Sequence, residues 1–368
     1  MKAIAVIPKQ KDSVHMVEMD EPKIADVPNN RGVKVKTLRV GGCGTDREIN
    51  NAEYGVAPDG ADFLVLGHEN LGQVVEVSSD VHEFAVGDIV VSTVRRPGHS
   101  IYDLIGEQDM TTDNEYFERG ISRLHGYFAE FYVESADFMV KLPPTLKEVG
   151  VLLEPLSIVE KGLQQAYELQ ERLKIWHPKR AAVIGTGSVG LLTVMALKMR
   201  GLQVHGFGKT PRAVYKNAEL CEEIGATYDS TMEISITDAA KKYGAFDIIL
   251  ECTGYSPIIW DAAQGLAKNG VLILTSVTGG TRTAEIASDK INFDFVLGNK
   301  LMFGTVNAGR EHFAAGVKDL ALCEAMYPDW LDKMLTHPIK GIENFRQLFD
   351  LLNNGADGMV KTFCEISS

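Results

Sequence analysis

Ala181-Ala182-Val183-Ile184-Gly185-Thr186-Gly187-Ser188-Val189-Gly190 runs from four apolar residues into three glycines spaced G-x-G-x-x-G, and a helical run from Leu191 to Arg200 follows. The first glycine permits a tight turn, and the second lets the backbone approach a pyrophosphate. The third lets the next helix pack closely with its N-terminus toward the phosphates. A bare glycine pattern is weak evidence. Here a strand precedes it, a helix follows it, and a second strand runs from Leu202 to Phe207, which together make it a dinucleotide site. Gly185, Thr186, Gly187, Ser188, Val189 and Gly190 are the expected cofactor contacts.

The end of that second strand selects the dinucleotide. An NAD-preferring fold carries an acid about 20 residues beyond the first glycine, on the ribose 2'-hydroxyl. The stretch Val204-His-Gly-Phe-Gly-Lys-Thr-Pro-Arg212 has none. Gly208 leaves room for a 2'-phosphate, Thr210 can donate to one, and Lys209 and Arg212 can neutralise it. NADP is therefore expected, with NAD still usable. The alternative is that Lys209 and Arg212 are solvated loop cations.

With 368 residues the chain exceeds the usual size of one hydrophobic core, so two domains are expected. Lys and Arg number 37 against 50 Asp and Glu, a net charge of -13 that disfavours nucleic acid and anionic membranes as partners. Met1 to Pro8 reads as a first strand, not a signal peptide, and no apolar run approaches the roughly 20 residues a bilayer span needs. Cys43, Cys221, Cys252, Cys323 and Cys364 are scattered and odd in number, which argues against a disulfide framework and for a reducing cytoplasm.

Short β-type runs dominate from Gly32 to Phe138: Val33 to Val40, Gly72 to Val77 and Asp88 to Ser92, separated by turn signals. They predict a mostly antiparallel, barrel-like domain. Beyond Leu156 strands alternate with helix-length segments: Ala181 to Ile184, Leu202 to Phe207, Phe246 to Cys252 and Gly270 to Thr275. That alternation predicts a doubly wound parallel Rossmann sheet, so the fold class is α/β. An amphipathic helix from His312 to Met326 and a strand from Lys361 to Ile366 close the chain.

Three motifs can hold one metal. Cys43 lies in Gly42-Cys-Gly-Thr-Asp46, His68 in Gly67-His-Glu69, and Glu154 before Pro155. A catalytic zinc takes three protein ligands of these types and keeps its fourth position open. Asp46 can orient His68, and Glu69 is a spare ligand or a group behind the ligands. Taken singly, each has a plainer reading: a lone cysteine as a small buried hydrophobe, a lone histidine as a satisfied core residue.

The order G-x-C-G-T-D, G-H-E, E-P, G-x-G-x-x-G resembles the zinc-dependent medium-chain dehydrogenases. Cys43 to Ile49, Arg95-Arg-Pro-Gly98, Glu118-Arg-Gly-Ile121, His125-Gly126, Glu154 to Lys161 and Gly304-Thr-Val-Asn-Ala308 are together similar to the archaeal-type glucose dehydrogenase branch. The resemblance runs through essentially the whole chain. It implies a GroES-like catalytic domain over 1–156 and 307–368 and a Rossmann domain over 157–306. It also implies that zinc on Cys43, His68 and Glu154, with Glu69 beside them, acts as a Lewis acid toward a sugar hydroxyl. Thr45 then becomes the first acceptor of the hydroxyl proton; its plain reading is a turn hydroxyl capping its own backbone. Glu118, Glu154 and Asn307 become substrate contacts, with Asn307 also at the cofactor. The implied activity is NADP-dependent oxidation of a glucose-like aldose at C1 to its lactone, by a homo-oligomer. A polyol or secondary-alcohol dehydrogenase is the alternative, because the substrate pocket is easily changed within a fold.

One departure stands out. Relatives commonly hold a four-cysteine structural zinc after the R-R-P segment, but Gly98 to Asp113 contains no cysteine. One zinc per chain is expected, and the shape of this lobe is open.

Overall fold

The computed structural model describes residues 1–367. In it, Arg180–Ile184 is a strand, Gly185 turns with φ of +92°, and a helix spans Ser188–Met199. A Cβ on Gly190 would lie 1.7 Å from the carbonyl oxygen of Gly185, so no other residue allows this helix to begin so close to its strand. Six parallel strands form the sheet, in the order Thr227–Ser230, Gln203–Gly208, Arg180–Ile184, Phe246–Glu251, Leu266–Leu274, Leu301–Gly304. This is the doubly wound order that reverses beside its first strand, where dinucleotides bind. The central strands are apolar without alternation because helices cover both faces. Phe207, Phe246, Ile184 and Leu272 are buried in one cluster, with the two phenyl rings edge to face at 5.9 Å.

The other sheet alternates instead. Along Gly32–Gly41, Val33, Val35 and Thr37 face inward until a register shift between Thr37 and Arg39, after which Leu38 and Val40 are the buried residues. Such a bulge moves the inward face by one residue. It delivers the strand's end, and Cys43 just beyond it, in a fixed orientation. The sheet runs Met139–Leu142, Ile89–Ser92, Glu69–Val77, Gly32–Gly41, Thr362–Glu365, His337–Lys340, with Phe131–Ser135 also on Gly32–Gly41. All these pairings are antiparallel except the last two strands of the order, which run parallel. The closing strand thus returns to the first sheet, with Phe363 opposite Gly41.

The chain divides into two compact units, one of Met1–Ser157, Asn307–Ala321 and Leu331 onward, the other of Ile158–Val306 and Leu322–Trp330. Leu322–Trp330 differs from the expected 307–368 block. Trp330 is buried in the sheet unit, where its indole donates to the Leu220 carbonyl at 2.9 Å. The lobe without cysteines is ordered around a carboxylate. Asp103 Oδ2 accepts from Ser100 N at 3.0 Å, Ser100 Oγ at 2.6 Å and Thr111 Oγ1 at 2.6 Å, while Asp113 accepts from His99 N. Among the described residues no helix is long and apolar enough to cross a membrane.

Candidate active site

Cys43 precedes the helix Gly44–Asn50, and its amide donates to Asp46 Oδ2 at 3.0 Å, so the thiol is fixed at a helix N-terminus. His68 sits at the turn into the strand Glu69–Val77, where its Nε2 meets Cys43 Sγ at 3.1 Å. Asp46 Oδ1 stands 3.8 Å from His68 Nδ1, too far for a hydrogen bond, and both atoms are buried without one. Cys43, His68 and Glu69 bring one ligand atom each to within 4.8 Å of one another. Glu154, in the first turn of Leu153–Gln170, falls outside that mutual distance but is buried in the same electrostatic surroundings.

The charges there are unbalanced. Burial lifts the Glu154 carboxyl to about 7, with Glu69 adding to the lift and His68 and Lys361 opposing it. Burial also raises the Cys43 thiol. For His68, burial disfavours charge, but Cys43 and Asp46 outweigh it and hold the imidazole well above its ordinary value. Asp46, Glu69 and Glu154 are all buried, and Lys361, which touches Glu69 and donates to Gly42 O at 3.0 Å, is the lysine among them. A thiol, an imidazole and carboxylates packed this close together are the donor types a cation would gather, and a bound cation would favour their deprotonated forms. Tetrahedral zinc with bonds of about 2.3 Å to sulfur and 2.0 Å to nitrogen sets those atoms about 3.5 Å apart. The Cys43–His68 separation of 3.1 Å is near that value, and the donor set suits zinc.

Thr45 is in the first turn of the same helix, half-buried, and its hydroxyl makes no hydrogen bond to a described residue. The backbone-capping alternative therefore has no bond to rest on here. Glu118 Oε1 is held by Arg95 Nη2 at 2.6 Å, Arg95 Nε at 3.2 Å and the Asn307 amide. Glu118 Oε2 has no partner among the described residues. Asn307 is thus committed to the carboxylate at the expected sugar position. Arg95 also stacks on Tyr116 at 4.6 Å.

At the dinucleotide motif, the amides of Ser188, Val189 and Gly190 open the helix and face outward from its first turn. Open space surrounds Gly187. The Gly185–Gly190 cradle fits a pyrophosphate. Thr186 is buried and its carbonyl accepts from Asn217 Nδ2 at 2.7 Å. Lys209 is exposed. Arg212 is exposed too, but forks onto Glu222 at 2.6 and 2.5 Å, so a 2'-phosphate must compete with that carboxylate. A second group of metal-type residues, Asp109, Glu311 and His312, is less suited to an ion. His312 Nδ1 accepts from Gly309 N at 2.9 Å, which occupies that lone pair.

No motif assigns a role to Lys361 or to Tyr228, which lies against Gly208, and the Arg95-Arg-Pro-Gly98 motif does not by itself show that Arg95 pairs with Glu118. Lys361 is a lysine opening an apolar strand, and Arg95 lies in the quoted R-R-P segment. Both are charges beside buried runs, the one signal that marked them.

Residues 29–144 match the alcohol dehydrogenase GroES-like domain and residues 147–366 the glucose dehydrogenase C-terminus. A glucose 1-dehydrogenase of Methanocella arvoryzae is 41% identical over 349 residues, covering 94% of this chain and 95% of that one. Glucose 1-dehydrogenase 1 of Caldivirga maquilingensis is 38% identical, covering 100% and 99%. Among solved structures, Haloferax mediterranei glucose dehydrogenase in complex with NADP, Zn and gluconolactone is similar, with a TM-score of 0.89, 35% identity and complete coverage of both chains.

Proposed function

The chain belongs to the zinc-dependent medium-chain dehydrogenases, in their glucose dehydrogenase branch, and on that premise we propose that it oxidises glucose or a like aldose at C1 to the lactone, reducing NADP. The observation that carries the reading is the end-to-end match to an enzyme seen with NADP, Zn and gluconolactone. Cys43, His68 and Glu154 would hold the metal, with Glu69 retained by Lys361 beside it. Zinc there supplies Lewis acidity toward the sugar hydroxyl, and the nicotinamide supplies the hydride acceptor.

The chain's own groups do the rest. Glu118, with Oε1 saturated by Arg95 and Asn307, keeps Oε2 free to accept from sugar hydroxyls and so orients C1. Thr45 Oγ1, two residues from Cys43 and unbonded, accepts the hydroxyl proton and passes it to solvent. One aldose and one NADP+ yield one lactone, one NADPH and one proton. Five cysteines without a disulfide suit a reducing cytoplasm. The exposed Phe293, Val296 and Leu297 on the helix Ser288–Gly298 offer apolar surface for a homo-oligomer.

Metal analysis with NADP+ reduction across aldoses, polyols and secondary alcohols tests this. One zinc per chain and fastest turnover with an aldose are expected. Two zincs per chain, full activity after complete metal removal, or faster turnover of a polyol would refute it.

A further inference from the structure

Gly208 ends the strand Gln203–Gly208, at the position where an acid grips the ribose in NAD-preferring folds. The room expected beside Gly208 is already filled on the side a side chain would take. A Cβ on Gly208 would lie 2.5 Å from Tyr228 Oη and 3.2 Å from Thr186 Oγ1. Tyr228 belongs to the neighbouring strand Thr227–Ser230, is buried, and packs on the Tyr215 ring at 5.4 Å, so its hydroxyl cannot simply swing aside.

That hydroxyl is also a clamp. It donates to Thr210 O at 2.7 Å. Ser230 Oγ donates to Lys209 O at 2.9 Å, and Thr231 N to Gly208 O at 2.8 Å. Three consecutive carbonyls of the turn are therefore tied to one neighbouring segment. This fixes the backbone that carries Lys209 and Thr210, two of the groups expected at a 2'-phosphate, Arg212 being the third.

We infer that Tyr228 is a cofactor-specificity residue: its hydroxyl fills the volume an acid at position 208 would need and holds the Gly208–Thr210 turn in the shape that receives a 2'-phosphate. The inference rests on the reading that the sheet unit binds NADP. It is distinct from any charge contact, because Tyr228 acts by occupancy and by pinning a carbonyl.

The test is binding without turnover. Dissociation constants of NADP+ and NAD+ are measured by titration calorimetry on the purified zinc-loaded protein, without sugar, for wild type, Tyr228→Phe, Gly208→Asp and the double variant. Tyr228→Phe keeps the ring and loses one hydrogen bond, so NADP+ binding should weaken about three- to tenfold while NAD+ changes less than about twofold. Gly208→Asp alone should weaken both cofactors, since its side chain meets the hydroxyl. The double variant should bind NAD+ more tightly than Gly208→Asp does, a non-additive gain. Equal effects of Tyr228→Phe on both cofactors, or none on either, would overturn the inference. So would a well-bound NAD+ in Gly208→Asp with Tyr228 intact. Failure of the underlying reading is visible separately, as wild type that binds neither dinucleotide. Circular dichroism confirms that each variant is folded.

Discussion

Replacing Glu134 with Gln should cost about 3 kcal/mol of stability at pH 7 and roughly half of that at pH 3. Glu134 is buried on the strand Phe131–Ser135, with Oε2 against Arg96 Nη2 and 2.9 Å from Arg119 Nε, and with Oε1 accepting from Ser135 N at 3.0 Å. Burial works against its charge, but Arg119 and Arg96 outweigh burial and bring the carboxyl from 4.5 down to about 2. At about 1.4 kcal/mol per pH unit, that interval corresponds to about 3 kcal/mol. The figure sits at the low end of the roughly 3–5 kcal/mol that breaking a buried pair costs. A folded-state value below the unfolded one means the stabilisation is fully present above pH 4.5 and drains away as pH falls toward 2. At pH 3 about 1.5 kcal/mol remains. Equilibrium urea unfolding of wild type and Glu134→Gln at both pH values gives the difference directly, and release of metal in acid, common to both proteins, cancels. A gap that is the same at pH 7 and pH 3, or below about 1 kcal/mol at pH 7, would refute the reasoning. Because Arg96 also donates to Arg95 O at 2.8 Å, the variant should raise the KM for sugar through Glu118 as well.

Thr45→Ala should lower kcat by about 10²–10⁴-fold with little change in NADP+ binding, since the hydroxyl serves a proton; an unchanged kcat when hydride transfer limits the rate would remove it from the mechanism. Lys209→Ala with Arg212→Ala should weaken NADP+ by about tenfold or more and leave NAD+ nearly intact, because only the 2'-phosphate feels the lost charges and hydrogen bonds to charged groups are the stronger ones. Equal losses for both cofactors would assign these cations to the pyrophosphate or the fold. Asp103→Ala should release amide exchange across Gly98–Asp113 selectively, since one carboxylate oxygen gathers three donors there. Unchanged protection of that segment would mean the lobe is held by other contacts.

The dinucleotide half was legible because its information is local: strand, three glycines and helix lie within one short stretch, and each glycine's role follows from spacing. The metal-type residues were legible as motifs for the same reason. Two edge strands of the parallel sheet left little trace: Thr227–Ser230 is mostly polar, and Leu301–Gly304, though apolar, is only four residues long and so too short to be told from a helix segment or loop by periodicity. The tertiary structure alone decided which distant groups meet. Lys361 lies against Glu69, Arg95 and Asn307 converge on one oxygen of Glu118, Arg212 is drawn to Glu222, and Tyr228 fills the space above Gly208. Apart from Arg212 with Glu222, ten residues apart, each is a pairing across strands or across tens to hundreds of residues, brought together by the tertiary fold. A sequence states which donors and acceptors exist. Which of them must share a buried space, and therefore neutralise or displace one another, is fixed only when the chain closes.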